Sequence, residues 1–202
     1  WGVNAHNTQM NKLVTKGLME PRSDIGKVIF KTETPGMDIL PANKELATAE
    51  VTLVNEMGRE KFLKRTLSAV REYYDVILID CQPTLGLLTL NALTAADGVI
   101  VPLQCEFFAL RGFAQLQENL EKVRINLNPS LTLIGILATM YDKKTLHSRE
   151  VLARILEAFP ESVFETVIAQ TVRFPDTTVA GEPITTYANS SGAAATYRRL
   201  AH

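Results

Sequence analysis

The chain has 202 residues, 46% hydrophobic and 21% charged, with 21 Lys and Arg against 22 Asp and Glu for a formal net charge of -1. That length suits one α/β domain with a sizeable core, and the near-neutral balance argues against a globally basic nucleic-acid binder, so only focused charge could hold DNA. Two cysteines, Cys81 and Cys105, form neither a metal spacing nor a disulfide framework, and no apolar run reaches the roughly 18 residues of a membrane span. With no signal-peptide pattern at the start, a soluble cytoplasmic protein with two small core-lining thiols is expected.

In chain order, "GMDILPA" (36–42) reads as a short strand. "GREKFLKRTLSAVREYY" (58–74) places Leu63, Leu67, Val70 and Tyr74 at helical spacing. Val76, Ile77, Leu78 and Ile79 lack period-two alternation, as suits a strand of a parallel sheet covered on both faces. Residues 85–97 follow as a buried helix, and 98–103 as a second apolar strand that Pro102 closes. From 106 to 128, Phe107, Leu110, Phe113, Leu116, Leu120 and Val123 share one stripe of a long amphipathic helix, a core stripe and not a cofactor box. Residues 131–142 form a third core strand running into a polar loop, and 148–159 a helix with Ser148 as its N-cap. A fourth strand at 162–168, an irregular stretch with Pro175, Gly181 and Pro183, and a last helix from 191 complete the chain. Strands alternating with helices of this length predict right-handed βαβ units and a mostly parallel sheet flanked by helices. There is no internal repeat, low-complexity segment or linker.

The apolar run 76–79 ends on Asp80. In open parallel sheets ligands bind outside the carboxyl ends of the strands, so this carboxylate stands where a site is expected. In P-loop nucleotide hydrolases such an aspartate, the Walker B residue, holds the magnesium ion bridging the nucleotide phosphates. The alternative is an ordinary strand end whose aspartate caps the next helix or faces water. His6, His147 and His202 are too scattered for a metal site.

"PGMDILPAN", "YDVILIDCQPTLGLLTLNAL", "ADGVIVPLQCEFFALRGFAQL", "LATMYD" and "TVRFPDTTVAGEPITTYA" come in the order and spacing of the ParA-type partition ATPases, the group that includes Soj. Over about residues 35–198 the chain resembles that family, and five separated segments make a more specific match than any single motif. The resemblance implies a three-layer α/β/α P-loop fold. It also implies a homodimeric ATPase using ATP and Mg2+, which binds DNA without sequence preference, is stimulated by a ParB-like partner, and is cytoplasmic and nucleoid-associated with no membrane attachment. The sibling MinD-type ATPases are less similar and end in a membrane-binding helix not visible here.

The chain departs from the family in its phosphate cradle. A P-loop needs a glycine-rich turn and a Lys-Ser/Thr pair opening a helix, K-G-G-x-x-K-T in this family. Lys16-Gly17 and Gly26-Lys27 lack the second glycine and the hydroxyl residue after lysine. The chain therefore reads as a single ParA-like domain entering the pattern after that element, with residues 1–34 poorly matched. It is expected to be incomplete at that end of the sheet, to leave apolar ladder edges uncovered, to bind magnesium nucleotide weakly and not to hydrolyse ATP alone. A degenerate homologue kept as a non-catalytic DNA- or partner-binding module is the other reading.

Three groups of residues carry what the resemblance implies about the site. Asp80, Cys81, Gln82 and Pro83 match the Walker B end and its D-C-P-P loop, with Gln82 replacing the first proline; Asp80 is both the metal ligand and the catalytic candidate. Thr139, Met140 and Asp142, with Val172 of the segment matching P-R-N-V-R, match the base side of the nucleotide, though plain strand-to-helix connections would look the same. Lys143, Lys144, Arg149 and Arg173 fall where relatives carry DNA-contacting arginines and would meet phosphate and not base edges, solvated surface charge being the alternative. The family's R-S-R-G reads Asn189-Ser190-Ser191-Gly192 here, which weakens that side of the patch.

Overall fold

The computed structural model describes residues 25–42, 46–106 and 109–202; His6, Lys16-Gly17 and Phe107 lie outside them. The chain divides into two compact units. One contains the described residues up to Asp97 with Val123–Leu131, and the other contains Gly98–Lys122 and Thr132–His202.

In the first unit a 3-10 turn, Ile25–Val28, leads into β1 (Phe30–Lys31) and β2 (Asp38–Ile39), an antiparallel hairpin pairing Phe30 with Ile39 and Lys31 with Asp38. The strand expected over 36–42 is thus two residues of a hairpin, because Gly36 takes a left-handed φ of 77° and Thr32 Oγ1 donates to Met37 O at 2.7 Å, closing a tight turn. Lys31 Nζ lies 2.8 Å from Asp38 Oδ2, and the Tyr74 hydroxyl donates to the same oxygen at 2.8 Å. Ile25, Val28 and Val70 are buried beside Ile29, Leu40, Leu67 and Tyr74.

Helix α1 (Leu46–Thr52) is followed by α2 (Phe62–Leu67) and α3 (Leu87–Ala95). The single helix expected over 58–74 is broken: α2 ends at Ser68, whose hydroxyl donates back to Arg65 O at 2.7 Å, and 3-10 turns stand at Arg59–Lys61 and Arg71–Tyr73. Its apolar stripe still points inward, with Leu67, Val70 and Tyr74 in the same cluster. Two asparagines brace α3. Asn91 donates to Arg59 O and Leu87 O and accepts from Leu63 N, while Asn128 donates to Leu93 O at 2.9 Å and Ala96 O at 2.7 Å.

The run 76–79 is the main correction in this unit. It joins no ladder among the described residues, and Val76 and Leu78 are 71% and 88% exposed. An apolar run becomes a buried strand only when neighbours cover its backbone edges and faces, and none of the described residues does so.

The second unit is built on β3 (Gly98–Gln104) and β4 (Thr132–Thr139), parallel from Gly98↔Thr132 to Gln104↔Thr139. Residues 162–168 run parallel along β4 through an Ile136–Val163 bridge and bonds such as Ile168 N to Ala138 O at 2.9 Å, but irregularly, so the expected fourth strand is a broken one. Pro102 does not close β3 but sits within it opposite Leu137; β3 has a ladder on one side among the described residues, and an edge strand tolerates a missing donor. Helix α4 (Ala109–Asn126) buries Phe113, Leu120 and, where the first unit resumes, Val123, as its stripe requires; α5 (Leu146–Ala158) packs on the same core as Phe113. Val101, Leu103, Cys105, Phe113, Ile136, Ala138, Val151 and Ile155 form that core, with Phe113 and Phe159 edge to face at 4.6 Å.

Helix α5 begins earlier than expected. Its N-cap is Thr145, whose hydroxyl accepts from Ser148 N; Ser148 is itself buried and reaches Cys105 O instead. The stretch read as irregular holds α6 (Arg173–Ala180) and α7 (Ile184–Tyr187) before α8 (Gly192–Leu200). Pro175 falls in the first turn of α6, where it removes no helical bond, and Gly181 ends that helix in the left-handed conformation at φ 70°. The α/β class holds, with a parallel sheet and helices.

Candidate functional site

In the first unit, the segment after Ile79 is a loop running into α3. Asp80, Cys81, Gln82 and Pro83 are all exposed, and Asp80 makes neither an ion pair nor a hydrogen bond with another described residue. The structure removes the helix-cap alternative and leaves a carboxylate that faces water, the position shared by an open metal site and a solvated chain segment. The expectation that Cys81 lines the core does not hold, because the run preceding it is uncovered, whereas Cys105 is 2% exposed as expected. Partial desolvation of the Cys81 thiol, and then the neighbouring Asp80 carboxylate, hold its pKa above the ordinary thiol value.

Where the loop meets α3, Thr89 Oγ1 donates to Thr84 O at 2.7 Å, and Glu50 of α1 accepts from Leu88 N at 3.3 Å. Sequence reasoning missed both. The Thr84–Thr89 spacing is a local cue that could have been found, but Glu50 lies 38 residues before Leu88 and no pattern links them.

In the second unit, β4 ends at Thr139, whose carbonyl accepts from Cys105 N at 3.0 Å. Met140 then takes φ 53°, the one left-handed non-glycine among the described residues. Such a conformation is uncommon for a side chain without a local hydrogen-bonding group, and its strain persists only where the surroundings enforce it. Here Tyr141 enforces it: Tyr141 N donates to Ile168 O, and its carbonyl accepts from Gln170 N, so the loop after β4 is tied to the segment leading to Val172. The structure thereby brings the loop after Thr139 beside residues 168–170, two residues short of Val172, for which no contact with that loop is seen among the described residues. Asp142 is occupied structurally, since its Oδ1 accepts from Lys144 N at 2.9 Å in a tight turn. Val172 is 81% exposed at the N-cap of α6.

Lys143, Lys144, Arg149 and Arg173 are all exposed, on the 142–145 turn, the first turns of α5 and the start of α6, and none forms an ion pair with a described residue. Beside Arg173 lies an open cavity of about 350 Å³ lined by Thr171, Phe174, Ser191 and Thr196 among others. The Asn189 to Gly192 stretch is committed to the fold: Ser191 caps α8 by accepting from Ala194 N, and the Arg198 guanidinium donates to Asn189 O and Thr185 O.

The described residues contain no cluster of three or more His, Cys, Asp or Glu able to hold a metal ion, and no helix long and apolar enough to cross a membrane. In the loop before α3 they offer a magnesium ion the exposed Asp80 carboxylate, and among the described residues no glycine-rich turn opening a helix faces it to hold the nucleotide phosphates. The fit to a magnesium nucleotide is therefore partial: Asp80 is a single carboxylate that could ligate the ion, and no cradle for the phosphates stands among the described residues.

The profile of a family described as an AAA domain matches residues 1–133. An uncharacterized protein of Mycobacterium tuberculosis is 52% identical over 200 residues, covering 99% of this chain, which spans 63% of that relative's length. The sporulation initiation inhibitor protein Soj of Bacillus subtilis is 42% identical over 179 residues, 89% of this chain and 71% of Soj. Among solved structures, cobyrinic acid a,c-diamide synthase of Mycobacterium smegmatis with bound ADP and magnesium superposes with a TM-score of 0.76 at 37% identity, covering 95% of this chain and 69% of that one.

Proposed function

Because the chain belongs to the ParA-like family of P-loop ATPases, we propose that it serves partition of a chromosome or plasmid, as an ATP-dependent DNA-binding ATPase when complete. The observation that carries the reading is the place of Asp80, an exposed carboxylate with no partner among the described residues, after an apolar run in a family whose chemistry places a magnesium ion there. Asp80 would hold the ion, and the ion would neutralise charge on the transferring phosphoryl group. Gln82 and Pro83 shape the loop behind it; Thr139, the strained Met140, Asp142 and Val172 would line the base side. Lys143, Lys144, Arg149 and Arg173, exposed and in no ion pair among the described residues, would meet DNA phosphates. The partners are nonspecific DNA, a ParB-like protein and a second copy of the chain, and the setting is the cytoplasm at the nucleoid.

The 202 residues alone are proposed not to hydrolyse ATP, since they supply the metal anchor without the donors that hold the phosphates. That same lack favours the second reading, a non-catalytic DNA- or partner-binding module. In-frame coding sequence for K-G-G-x-x-K-T upstream decides for the enzyme, and its absence for the module.

The test is a duplex titration by fluorescence anisotropy across a salt series. Two unrelated sequences should bind alike. Arg149→Ala with Arg173→Ala should reduce the slope of log K against log salt by about 1.8, because each neutralised phosphate contributes about 0.9. An unchanged slope assigns both arginines to solvated surface and removes the DNA reading. Light scattering should show no doubling of mass on adding ATP and magnesium.

A further inference from the structure

We propose that Glu50 is a positioning residue for the Asp80 loop, clamping the loop's far end onto α3 from α1. Helix α3 begins at Gly86, which has no side chain to cap the first turn, so its orphan N–H groups must be met from elsewhere. Glu50 meets one of them in trans, its Oε1 accepting from Leu88 N at 3.3 Å. A carboxylate at a helix N-terminus also suits the partial positive charge there.

The second observation is steric and concerns the same carboxylate oxygen. Gly86 lies at φ -80°, ψ -179°, ordinary extended backbone, so conformation does not demand glycine. Space does. A Cβ built on Gly86 would overlap Glu50 Oε1 and stand 3.2 Å from its Cδ. Gly86 and Glu50 therefore fit as a pair, with the carboxylate seated against bare backbone where the loop ends. Between Asp80 and Leu85 the loop makes no backbone-to-backbone hydrogen bond with a described residue; its side-chain ties are the Thr89 bond to Thr84 O and a local Cys81 Sγ bond to Ile79 O at 3.6 Å. With so few ties, the Glu50 contact carries a large share of the loop's order, and through it the place of Asp80.

That the loop serves a magnesium nucleotide rests on the reading above, but the experiment does not. Cys81 is exposed within the loop and Cys105 is buried, so a maleimide nitroxide on the full 202-residue chain reports the loop through Cys81. Four variants join the wild type: Glu50→Ala, Glu50→Gln, Gly86→Ala and the double Glu50→Ala with Gly86→Ala. The wild-type spectrum should contain a slow component that Glu50→Ala removes and Glu50→Gln restores, since the amide oxygen still accepts from Leu88 N. Gly86→Ala, which keeps the carboxylate but displaces it, should resemble Glu50→Ala, and the double variant should be no looser than either single one. Exchange of the Leu88 amide should quicken roughly fivefold in Glu50→Ala and stay unchanged in Glu50→Gln, the scale of a lost helix cap. A Glu50→Ala spectrum matching wild type, a Gly86→Ala variant without effect, or additive loosening in the double variant would overturn the proposal. If Glu50→Ala fails to fold by circular dichroism, the Gly86→Ala and Glu50→Gln pair decides alone. A chain that never binds nucleotide leaves every one of these outcomes readable.

Discussion

Replacing Asn128 with alanine should destabilise the first unit by about 2–4 kcal/mol. Asn128 is 2% exposed, and its amide group donates to Leu93 O at 2.9 Å and Ala96 O at 2.7 Å, two carbonyls at the end of α3. Alanine removes both donors and leaves those carbonyls buried beside apolar neighbours, at a cost of roughly 1–3 kcal/mol for each group left unmet. Partial entry of water lowers the sum toward the smaller figure. In urea, with a slope of about 1–3 kcal/mol/M for a domain of this size, the midpoint should fall by roughly 1–2 M. Asn128→Asp should be worse than alanine, because a carboxylate can only accept and would face two carbonyl oxygens. Ser130→Ala, which removes just the bond from Ser130 Oγ to Asn128 Oδ1, should cost less than about 1 kcal/mol. A loss under about 0.5 kcal/mol for Asn128→Ala, the range of surface changes, would show that the two bonds do not hold the end of α3.

Other consequences are equally open to measurement. Asp80→Asn should alter thermal stability by no more than about 0.5 kcal/mol, since the carboxylate is exposed and has no partner to lose; a strong loss in a melting scan would make it a structural cap. Phe113→Ala should cost about 3–5 kcal/mol in chemical denaturation, as Phe113 is 1% exposed against the Phe159 ring, and a cost near 1 kcal/mol would mean the core closes over the gap. Asp38 is held below the ordinary carboxylate value, first by Lys31 and then by the Tyr74 hydroxyl, while Lys31 and Tyr74 are both raised by Asp38. The lowered group stabilises the hairpin above its unfolded pKa and stops doing so as pH falls through the folded value; the raised groups stabilise it below theirs and stop as pH rises through the folded values. The hairpin should thus hold from about pH 5 to pH 9 and weaken outside that window. Carboxyl NMR should place the Asp38 midpoint below the ordinary range, with Tyr74→Phe raising it partway; a midpoint at or above that range refutes the arrangement.

Where periodicity and burial agree, the sequence was enough to see the structure. The Phe113, Leu120, Val123 stripe and the apolar strands over 98–103 and 131–142 are recovered because each is covered by neighbours in the chain itself. The run 76–79 has an equally strong pattern and fails, since burial of a strand depends on what lies beside it and not on its own residues. Ser148 was read as a cap because it precedes an apolar series; Thr145, three residues earlier, has the extended backbone a cap needs. At the candidate site, Asp80 was legible from its place after the apolar run, and the Met140 loop from the family pattern. The left-handed turn at Met140 and the reach of Glu50 were not, one being a backbone angle no composition signals and the other a contact between distant segments.

The uncovered run has a consequence for how the chain behaves in solution. Val76, Ile77, Leu78 and Ile79 combine high strand propensity with no internal charge, and they join no ladder among the described residues. Such a segment is a template for intermolecular strand addition, the route by which soluble chains begin to aggregate. Asp75 and Asp80 bracket it, one negative charge at each end, and act as gatekeepers that make stacking of identical segments repulsive. On this reasoning turbidity at raised concentration should rise more steeply for Asp80→Asn than for a neutralised aspartate elsewhere, such as Asp176→Asn on α6.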